Sequence, residues 1–490
     1  MHCQLAHLRH CLRGRIRRAL DELPKSLDET YARALEDIED QNWEYAHRLL
    51  QCVAVAARPL RIEELAEFLA FDFNGAPTPE YLEDWRHEDP RHAVLFTCSS
   101  LLAVVDVDGS RVIQFTHFSV KEYLTSTRII REKDTVSRFH ISMTSAHTMV
   151  AQGCLGVLLH LGENITKSDL EAFPLVEYAA EHWAGHAQFE RASPDIQYGM
   201  KRLFDPRNHH FPIWIWIHDP ERSCPLSERS EYPSQPRATP LHYAAFCDIP
   251  DVIEFLIVER SQDVNARGFY YDETSLSVAS RKGHLKVVQA LLEHGADHET
   301  RDKFGWRPLE WVSATEHVDV VQALLDHGAE VKAKDKYKNT SLHVASRFKQ
   351  AAVARMLLER GAEANARNRK NEIPLHWASE MGHMEGARVL LEYGADADAR
   401  NIENETPLHI TSQMGHTDLA QLLLRYSADV DAWDQKGQVP FQKVPTTGNH
   451  DSKFSSENKD FKPIFRPRTL WEFVRDLIAT IAFFLCLSLL

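Results

Sequence analysis

The chain has 490 residues, of which 43% are hydrophobic and 26% charged, and its formal net charge is −15. This length allows two to four domains, and the acidic balance argues against a general nucleic-acid binder, which usually presents a basic face. The eight cysteines include no Cys-x-x-Cys pair and follow no secretory signal, so we expect reduced thiols and a cytoplasmic location, with the nucleus as the alternative.

Helical signals dominate the start of the chain. Ser26 can cap a helix, with Glu29 as its capping-box partner. A strongly apolar stretch over residues 43–57 predicts a second helix that Pro59 ends, and a third is expected before residue 70. Three short helices are therefore the expected opening of the first domain.

A β-hairpin is expected after these helices. Two apolar runs, at residues 100–107 and 112–116, flank Asp108-Gly109, a dipeptide typical of a tight hairpin turn. With a further helix over residues 117–125, this order predicts a winged-helix-like module over residues 1–130. Because that last helix carries one Lys and one Glu rather than a basic face, we expect no nucleic acid as a partner.

Three stretches of this region carry a family resemblance: IRRALDELPKSLDETYARAL (16–35), LLQCVAVAARPLRIEELAEFLAFDF (49–73) and VIQFTHFSVKEYLTS (112–126). They resemble the segment that follows the nucleotide-binding NACHT domain in fungal NOD-like (STAND) receptors, where ankyrin repeats commonly come next. The resemblance covers roughly residues 13–205. It implies that the winged helix packs on a nucleotide-binding module and senses its state, in a signalling context.

Residues 131–205 are predicted to be a helical connector. His182 and His186 lie four residues apart within it, but no Glu follows His182 as in the His-Glu-x-x-His motif. We therefore expect a packed or solvated pair and no metal site. Proline and paired aromatic residues interrupt residues 206–237, which are predicted to be a linker.

A tetrapeptide recurs at near-constant spacing through the next two hundred residues. Its copies are Thr239-Pro240-Leu241-His242, Thr274-Ser275-Leu276-Ser277, Arg307-Pro308-Leu309-Glu310, Thr340-Ser341-Leu342-His343, Ile373-Pro374-Leu375-His376 and Thr406-Pro407-Leu408-His409. The first step is 35 residues and the following steps are 33. Leu pairs, Gly residues and closing Asp or Asn residues keep the same step, and the pattern resembles the ankyrin repeat.

This resemblance implies a helix, a turn, an antiparallel helix and a projecting hairpin in each unit. Thr can cap the first helix and Pro suits its first turn, while Gly can end a helix in the left-handed conformation. Four departures from the pattern are expected to be soft points of the array: Ser277, Glu310, Lys349-Gln350 and Ser427. Each removes a His or a Gly that the other units hold.

The predicted fold is therefore mainly α: an N-terminal helical winged-helix-like module followed by an ankyrin-repeat α-solenoid over residues 238–440. About six repeats are expected, the last one decaying. Residues 441–470 are polar and predicted to be disordered.

A hydrophobic segment over residues 471–490 ends the chain. Its uncharged part, residues 477–490, is shorter than the roughly 20 residues that a bilayer crossing needs. A membrane tail anchor and a hydrophobic end produced by truncation both remain open.

Catalytic motifs are missing. The chain has no Gly-x-x-x-x-Gly-Lys-Ser/Thr loop, no Gly-x-Ser-x-Gly elbow, no kinase set and no dinucleotide fingerprint. We expect no enzyme and no cofactor, but a protein-interaction scaffold or sensor. The alternative is the C-terminal fragment of a NACHT-type signalling NTPase that lacks its nucleotide-binding domain.

Repeat arrays bind partners through an extended concave face, and the resemblance implies that hairpin tips and first helices supply it. The candidate tip residues are Tyr270, Tyr271, Phe304, Lys336, Tyr337, Arg369, Lys370, Ile402 and Trp433. The candidate first-helix residues are Tyr243, Arg281, Trp311, Arg347, Phe348, Trp377, Met381 and Met414. Phe348, Met381 and Met414 share one register and should form a stripe. For Trp311 and Trp377, packing between repeats is an equal alternative.

Overall fold

The structure, a computed structural model, describes residues 26–73, 78–98, 100–107, 109–189, 194–221, 230 and 235–443. Residues 1–25 of the predicted winged-helix-like module, the polar tail beyond residue 443 and the hydrophobic C-terminal segment lie outside these residues. The chain divides into two compact units. The first contains the residues up to Pro236 together with Glu254–Ser261, and the second contains Arg237–Ile253 and the residues from Gln262 onward.

The first unit opens with short helices and strands. The helices are α1 (Leu27–Glu36), α2 (Trp43–Val55), α3 (Ile62–Glu67), α4 (Pro90–Cys98) and α5 (Phe118–Thr125). The strands are β1 (Leu60–Arg61), β2 (Phe71–Asp72), β3 (Glu80–Tyr81), β4 (Leu102–Val107) and β5 (Ser110–Phe115). Ser26 caps α1 by accepting a hydrogen bond from the Glu29 amide at 3.2 Å.

The predicted hairpin is confirmed as the pair β4–β5, with Leu102 opposite Phe115. A further strand was not predicted: β1 pairs antiparallel with β5, so the sheet order is β1-β5-β4. Between α3 and this hairpin, the chain forms the short β2–β3 ladder and α4. Helices α1, α2 and α3 with this sheet make up the winged-helix module.

A buried carboxylate, that of Glu64, lies in the first turn of helix α3. Glu64 accepts a hydrogen bond from the Arg61 amide at 2.7 Å, which satisfies an otherwise unpaired donor at the helix start. Its oxygens also bind Arg58 at 2.8 Å and the Arg61 side chain at 2.9 Å. Burial alone would raise the pKa of Glu64, but these arginine contacts hold it below its usual value.

The connector consists of further helices, the last three of which pack on one long apolar helix. They are α6 (Asp134–Ser137), α7 (Met143–His160), α8 (Lys167–Leu170), α9 (Val176–Gln188), α10 (Pro194–Phe204) and α11 (His210–Ile217). Gly153 and Gly156 let α7 approach the winged-helix module closely, since a Cβ at either position would lie 2.7 Å from the ring of Phe68 or Phe71, respectively.

The predicted linker over residues 206–237 is wrong in its first part. Helix α11 lies there, and its apolar side chains are buried. Trp214 contacts the rings of Trp183 at 5.4 Å and Phe204 at 5.3 Å, and its indole donates to the Ala180 carbonyl at 2.9 Å. The interrupted, aromatic-rich pattern is therefore that of a short core helix, because the rings pack inside the connector.

His186 of the predicted histidine pair is a packed residue. Its Nε2 lies 2.8 Å from the Tyr178 hydroxyl and its Nδ1 lies 2.9 Å from Nδ1 of His147. Burial, with a smaller effect of His147, lowers the pKa of His186 to about 4. In the ranges that the structure covers, no group of three or more His, Cys, Asp or Glu residues is placed to hold a metal ion.

The second unit consists of stacked helix pairs. The first helices are α12 (Pro240–Phe246), α14 (Ser275–Lys282), α16 (Pro308–Ser313), α18 (Ser341–Arg347), α20 (Pro374–Met381) and α22 (Pro407–Met414). The second helices are α13 (Pro250–Glu254), α15 (Leu285–Glu293), α17 (Val318–Asp326), α19 (Ala351–Glu359), α21 (Met384–Glu392) and α23 (Thr417–Arg425). Each first helix packs on the next, and a 3-10 turn at Pro440–Lys443 covers α22.

The left-handed positions recur with the repeat. Glycines such as Gly283 and Gly382 end the first helices with positive φ. Lys349 and Ser427 adopt the same conformation, with φ of 64° and 65°, where other repeats have glycine. At these two positions the backbone therefore keeps the geometry of the other repeats, although the sequence departs from the pattern.

Candidate protein-binding surface

The hairpin tips are held by buried Asp and Asn side chains. Oδ1 of Asp302 accepts hydrogen bonds from the amides of Phe304 and Trp306, both at 2.8 Å. Asp335 does the same for Tyr337 and Asn339. Asn368, Asn401 and Asp434 repeat this arrangement in the following tips. Because the Asp or Asn side chain turns inward, the residue two positions later is held at the exposed end of each tip.

Consecutive tips are also tied by their backbones. The Lys303 amide donates to the Tyr271 carbonyl at 3.0 Å, and the Arg369 amide donates to the Tyr337 carbonyl at 2.9 Å. Further along, the Ile402 amide donates to the Lys370 carbonyl at 2.9 Å. These bonds fix neighbouring tips relative to each other, so the tips present one continuous surface rather than separate loops.

Aromatic side chains occupy the first tips. The Tyr271 ring lies 5.3 Å from that of Tyr270 and 5.4 Å from that of Phe304. Nζ of Lys303 lies 3.1 Å from the centre of the Tyr270 ring, within reach of a cation–π contact. Phe304 and Tyr337 keep 41% and 54% of their surface exposed. Lys303 was missed by the sequence reasoning, although it shares the register of Lys336 and Arg369.

The predicted stripe on the first helices lies at corresponding helix ends. Met381 and Met414 are the last residues of α20 and α22, and Phe348 follows the last residue of α18. Phe348 and Met381 are half-buried, whereas Met414 is 44% exposed. Successive first helices pack together, so the three side chains follow one another along the array.

Three of the predicted surface residues lie in the interior instead. Tyr243 is fully buried, and its ring contacts that of Phe269 at 4.9 Å. Trp311 is buried with its indole donating to Asp302 at 3.0 Å, which decides between packing and exposure at that position. Most of the Arg281 side chain is covered, because it pairs with the buried Glu273 at 3.1 Å. Large residues on the inner side of the first helix fill space between repeats.

The remaining candidates differ in exposure. Trp377 is half-buried, and its indole donates to Glu372 at 2.9 Å while the Arg347 guanidinium lies 5.3 Å above its ring. Arg369 and Lys370 are exposed at the next tip. Ile402 and Trp433 are also exposed, which extends the surface to the last tips.

No helix within the described ranges is both long enough and apolar enough to cross a bilayer.

The fold is that of an ankyrin-repeat protein with an N-terminal winged-helix domain. Family profiles agree: "Ankyrin repeats (3 copies)" matches residues 224–302, 276–368 and 361–434. "GPI inositol-deacylase, winged helix domain" matches residues 37–141.

Three curated proteins illustrate what the chain is similar to. It is 32% identical over 294 residues to azaphilone pigments biosynthesis cluster protein L of Monascus ruber, covering 57% of this chain and 61% of that protein. It is 24% identical over 188 residues to vegetative incompatibility protein HET-E-1 of Podospora anserina, covering 34% of this chain and 13% of that protein. Palmitoyltransferase AKR1 of Lachancea kluyveri matches over 81 residues at 35% identity, 16% of this chain and 11% of that protein. The chain thus matches only part of the length of each relative. The similarity to HET-E-1 agrees with the resemblance of the N-terminal region to the segment after NACHT.

Proposed function

We propose that this chain is a non-catalytic scaffold or sensor that binds a protein partner through its ankyrin repeats in a signalling process. The observation that carries the proposal is the recurrence of exposed or half-exposed Phe, Tyr, Trp and Met side chains at matching positions of successive repeats. Aromatic residues, Met and Arg are the types that interface cores prefer. The buried free thiols of Cys52, Cys154 and Cys247 support a reducing compartment such as the cytoplasm.

Quantitative affinity capture tests this proposal. The full chain is compared with Phe348→Ala/Met381→Ala/Met414→Ala and with the control Gln289→Ala/Arg355→Ala/Arg388→Ala, whose side chains are exposed on second helices. Partners held by the full chain and the control but lost by the stripe variant are the expected result, provided that the variants have equal melting temperatures. Identical partner sets for all three proteins would contradict binding through this face.

A second candidate follows from the winged-helix match and the similarity to the incompatibility protein. In this alternative the chain is the C-terminal part of a NACHT-type signalling NTPase, and the winged helix contacts a nucleotide-binding domain. Sequencing the transcript upstream of Met1 tests it. An in-frame phosphate-binding loop would favour the second candidate, and a stop codon directly upstream would favour the free-standing scaffold.

A further inference from the structure

Three adjacent tips carry an excess of positive charge. We define the basic tip surface as residues 301–305, 334–338 and 367–371. Its exposed charged side chains are all cationic: Arg301, Lys303, Lys334, Lys336, Lys338, Arg367, Arg369 and Lys370. The acids within it, Asp302 and Asp335, are each 6% exposed because they bind the tip backbone.

The hydrogen-bond partners of these cations leave their charge uncompensated. Arg301 donates to the Lys334 carbonyl at 2.9 Å, and Arg367 donates to the Arg400 carbonyl at 3.0 Å. Lys303 donates to the Tyr270 carbonyl at 2.6 Å. A carbonyl satisfies the donor and fixes the side chain, but it carries no formal charge.

Ion pairs exist beside this surface and not within it. Arg267 pairs with Asp272 in the preceding tip, and Lys332 pairs with Glu363 at the edge. Among the described residues, none of the eight cations lies within ion-pair distance of a carboxylate. A strip of free positive charge on a chain of net charge −15 is a specific feature, since the average surface is acidic.

Aromatic rings lie between the cations. Nζ of Lys336 is 5.5 Å from the Phe304 ring centre and 5.2 Å from that of Tyr337. The exposed rings offer apolar contact area, while the lysines and arginines offer charge-assisted donors. This pairing fits a chain that carries carboxylates and apolar side chains close together.

We propose that the basic tip surface binds an extended acidic segment of a partner protein. The inference rests on the proposed function and adds the chemistry of the partner. Helices that pack side by side lie about 8–10 Å apart, so successive tips have about that spacing. An extended chain in the polyproline II conformation advances about 3.1 Å per residue and has about three residues per turn. Carboxylates three residues apart therefore lie on one side of it, opposite consecutive tips.

A protein segment fits better than single-stranded nucleic acid. Nucleic-acid binders offer open ring faces on which bases stack. Here Lys303 covers the face of Tyr270, and the Tyr270 and Tyr271 rings meet at 77° rather than lying parallel. The net charge of −15 repels any anionic chain, but it repels this segment less. Carboxylates three residues apart give about one charge per 9 Å, against about one per 3.4 Å along a nucleic-acid strand.

Fluorescence anisotropy with the full chain tests the proposal. The probes are a labelled 15-residue peptide with Glu at every third position and Gly, Ser or Leu between, its counterpart with Gln in place of Glu, and an oligothymidylate of 15 nucleotides. The variant Lys303→Gln/Lys336→Gln/Arg369→Gln removes charge from each tip. Lys286→Gln/Arg355→Gln/Arg388→Gln removes the same charge from exposed positions of second helices.

The Glu peptide is expected to bind at least tenfold more tightly than the Gln peptide and to weaken as salt rises. The tip variant should lose at least tenfold in affinity for it, while the control variant stays within twofold. Equal binding of both peptides, equal loss in the two variants, absence of binding at low salt, or tighter binding of the oligonucleotide would each overturn the inference. If the tip variant still captures the partners that the stripe variant loses, the proposed function stands and only the acidic-segment inference fails.

Discussion

Arg307 and Glu310 form a buried ion pair at the two positions where three other repeats hold Thr and His. Oε2 of Glu310 accepts hydrogen bonds from the Arg307 amide and from its Nε, both at 3.0 Å. In the next repeat, Nδ1 of His343 accepts from the Thr340 amide at 3.2 Å. The carboxylate thus replaces one imidazole nitrogen at the start of the helix. It cannot replace the other, since Nε2 of His343 lies 3.1 Å from the Glu372 carbonyl in the following tip.

Removing one partner of this pair should be costly. Glu310→Ala leaves a guanidinium buried without its main counter-charge, although Glu299 still binds Arg307 at 3.0 Å. We expect the free energy of unfolding to fall by about 3–5 kcal/mol, measured by urea unfolding followed by circular dichroism. The double variant Arg307→Thr/Glu310→His, which restores the repeat pattern, should lose much less. A double variant as unstable as the single one would contradict the account of this site.

Replacing two residues that are strained in the left-handed conformation by glycine should stabilise the protein. Lys349→Gly and Ser427→Gly each place glycine where φ is 64° and 65°. We expect each to raise the free energy of unfolding by about 0.5–1 kcal/mol, because relief of strain of about 1–2 kcal/mol exceeds the added freedom of the unfolded chain. Gln289→Gly, at an exposed helical position, is the control and should lose about 1 kcal/mol. Destabilisation by both left-handed substitutions would count against the prediction that they are soft points.

The glycines of α7 should not tolerate a methyl group. Gly153→Ala drives Cβ into the buried ring of Phe68, and Gly156→Ala drives it into that of Phe71. Despite the better helix propensity of Ala, we expect a net loss of about 1–2 kcal/mol for each. In Gly185→Ala the new methyl group has nothing within 4 Å, so this control should gain up to about 1 kcal/mol. Thermal melts of the three variants measure these changes in stability. A rise in the melting temperature of Gly153→Ala would refute the close contact.

Buried histidines should make the array sensitive to mild acid. Burial lowers the pKa of His343 to about 4, below the value near 6.5 of an unfolded chain. Between these values the unfolded state binds the proton more strongly, so the stability present above pH 6.5 declines as the pH falls towards 4.

Comparison with His343→Gln separates the contribution of His343 to the pH dependence of stability from that of carboxylates, which titrate in a nearby pH range. The stability advantage of the natural chain over the variant should shrink by on the order of 1–2 kcal/mol between pH 7.5 and pH 5. Urea midpoints at the two pH values measure it. Parallel pH profiles for the two proteins would show that His343 is not buried in its neutral form.

The repeat register was predictable because each helix start, helix end and tip uses a residue type with a local physical reason. The Asp and Asn residues that close each unit are an example, since Asp302 and Asp335 accept hydrogen bonds from the tip backbone. Burial was less predictable. Tyr243 and Trp377 occupy the same register, yet the first is buried and the second half-buried, because the neighbouring repeat supplies Phe269 in one case and not in the other.

Short secondary-structure elements of the core were also not predictable from the sequence. Strand β1 has two residues and becomes a strand only by pairing with β5, a contact made by residues about fifty positions apart. Helix α11 was assigned to a linker because proline and aromatic clusters suggest interruption, whereas its rings complete a core built by α9 and α10. Both depend on tertiary partners that local patterns do not contain.

Site-specific photo-crosslinking shows directly whether the tips and first-helix ends of the repeats form the partner-binding face. A photoreactive amino acid replaces Tyr337 at a tip, Met414 at a first-helix end, or Gln289 on a second helix, in the otherwise unchanged full chain. We expect a partner to be crosslinked from positions 337 and 414 and not from position 289. Crosslinking from position 289 alone would place the binding face on the opposite helices and contradict the account.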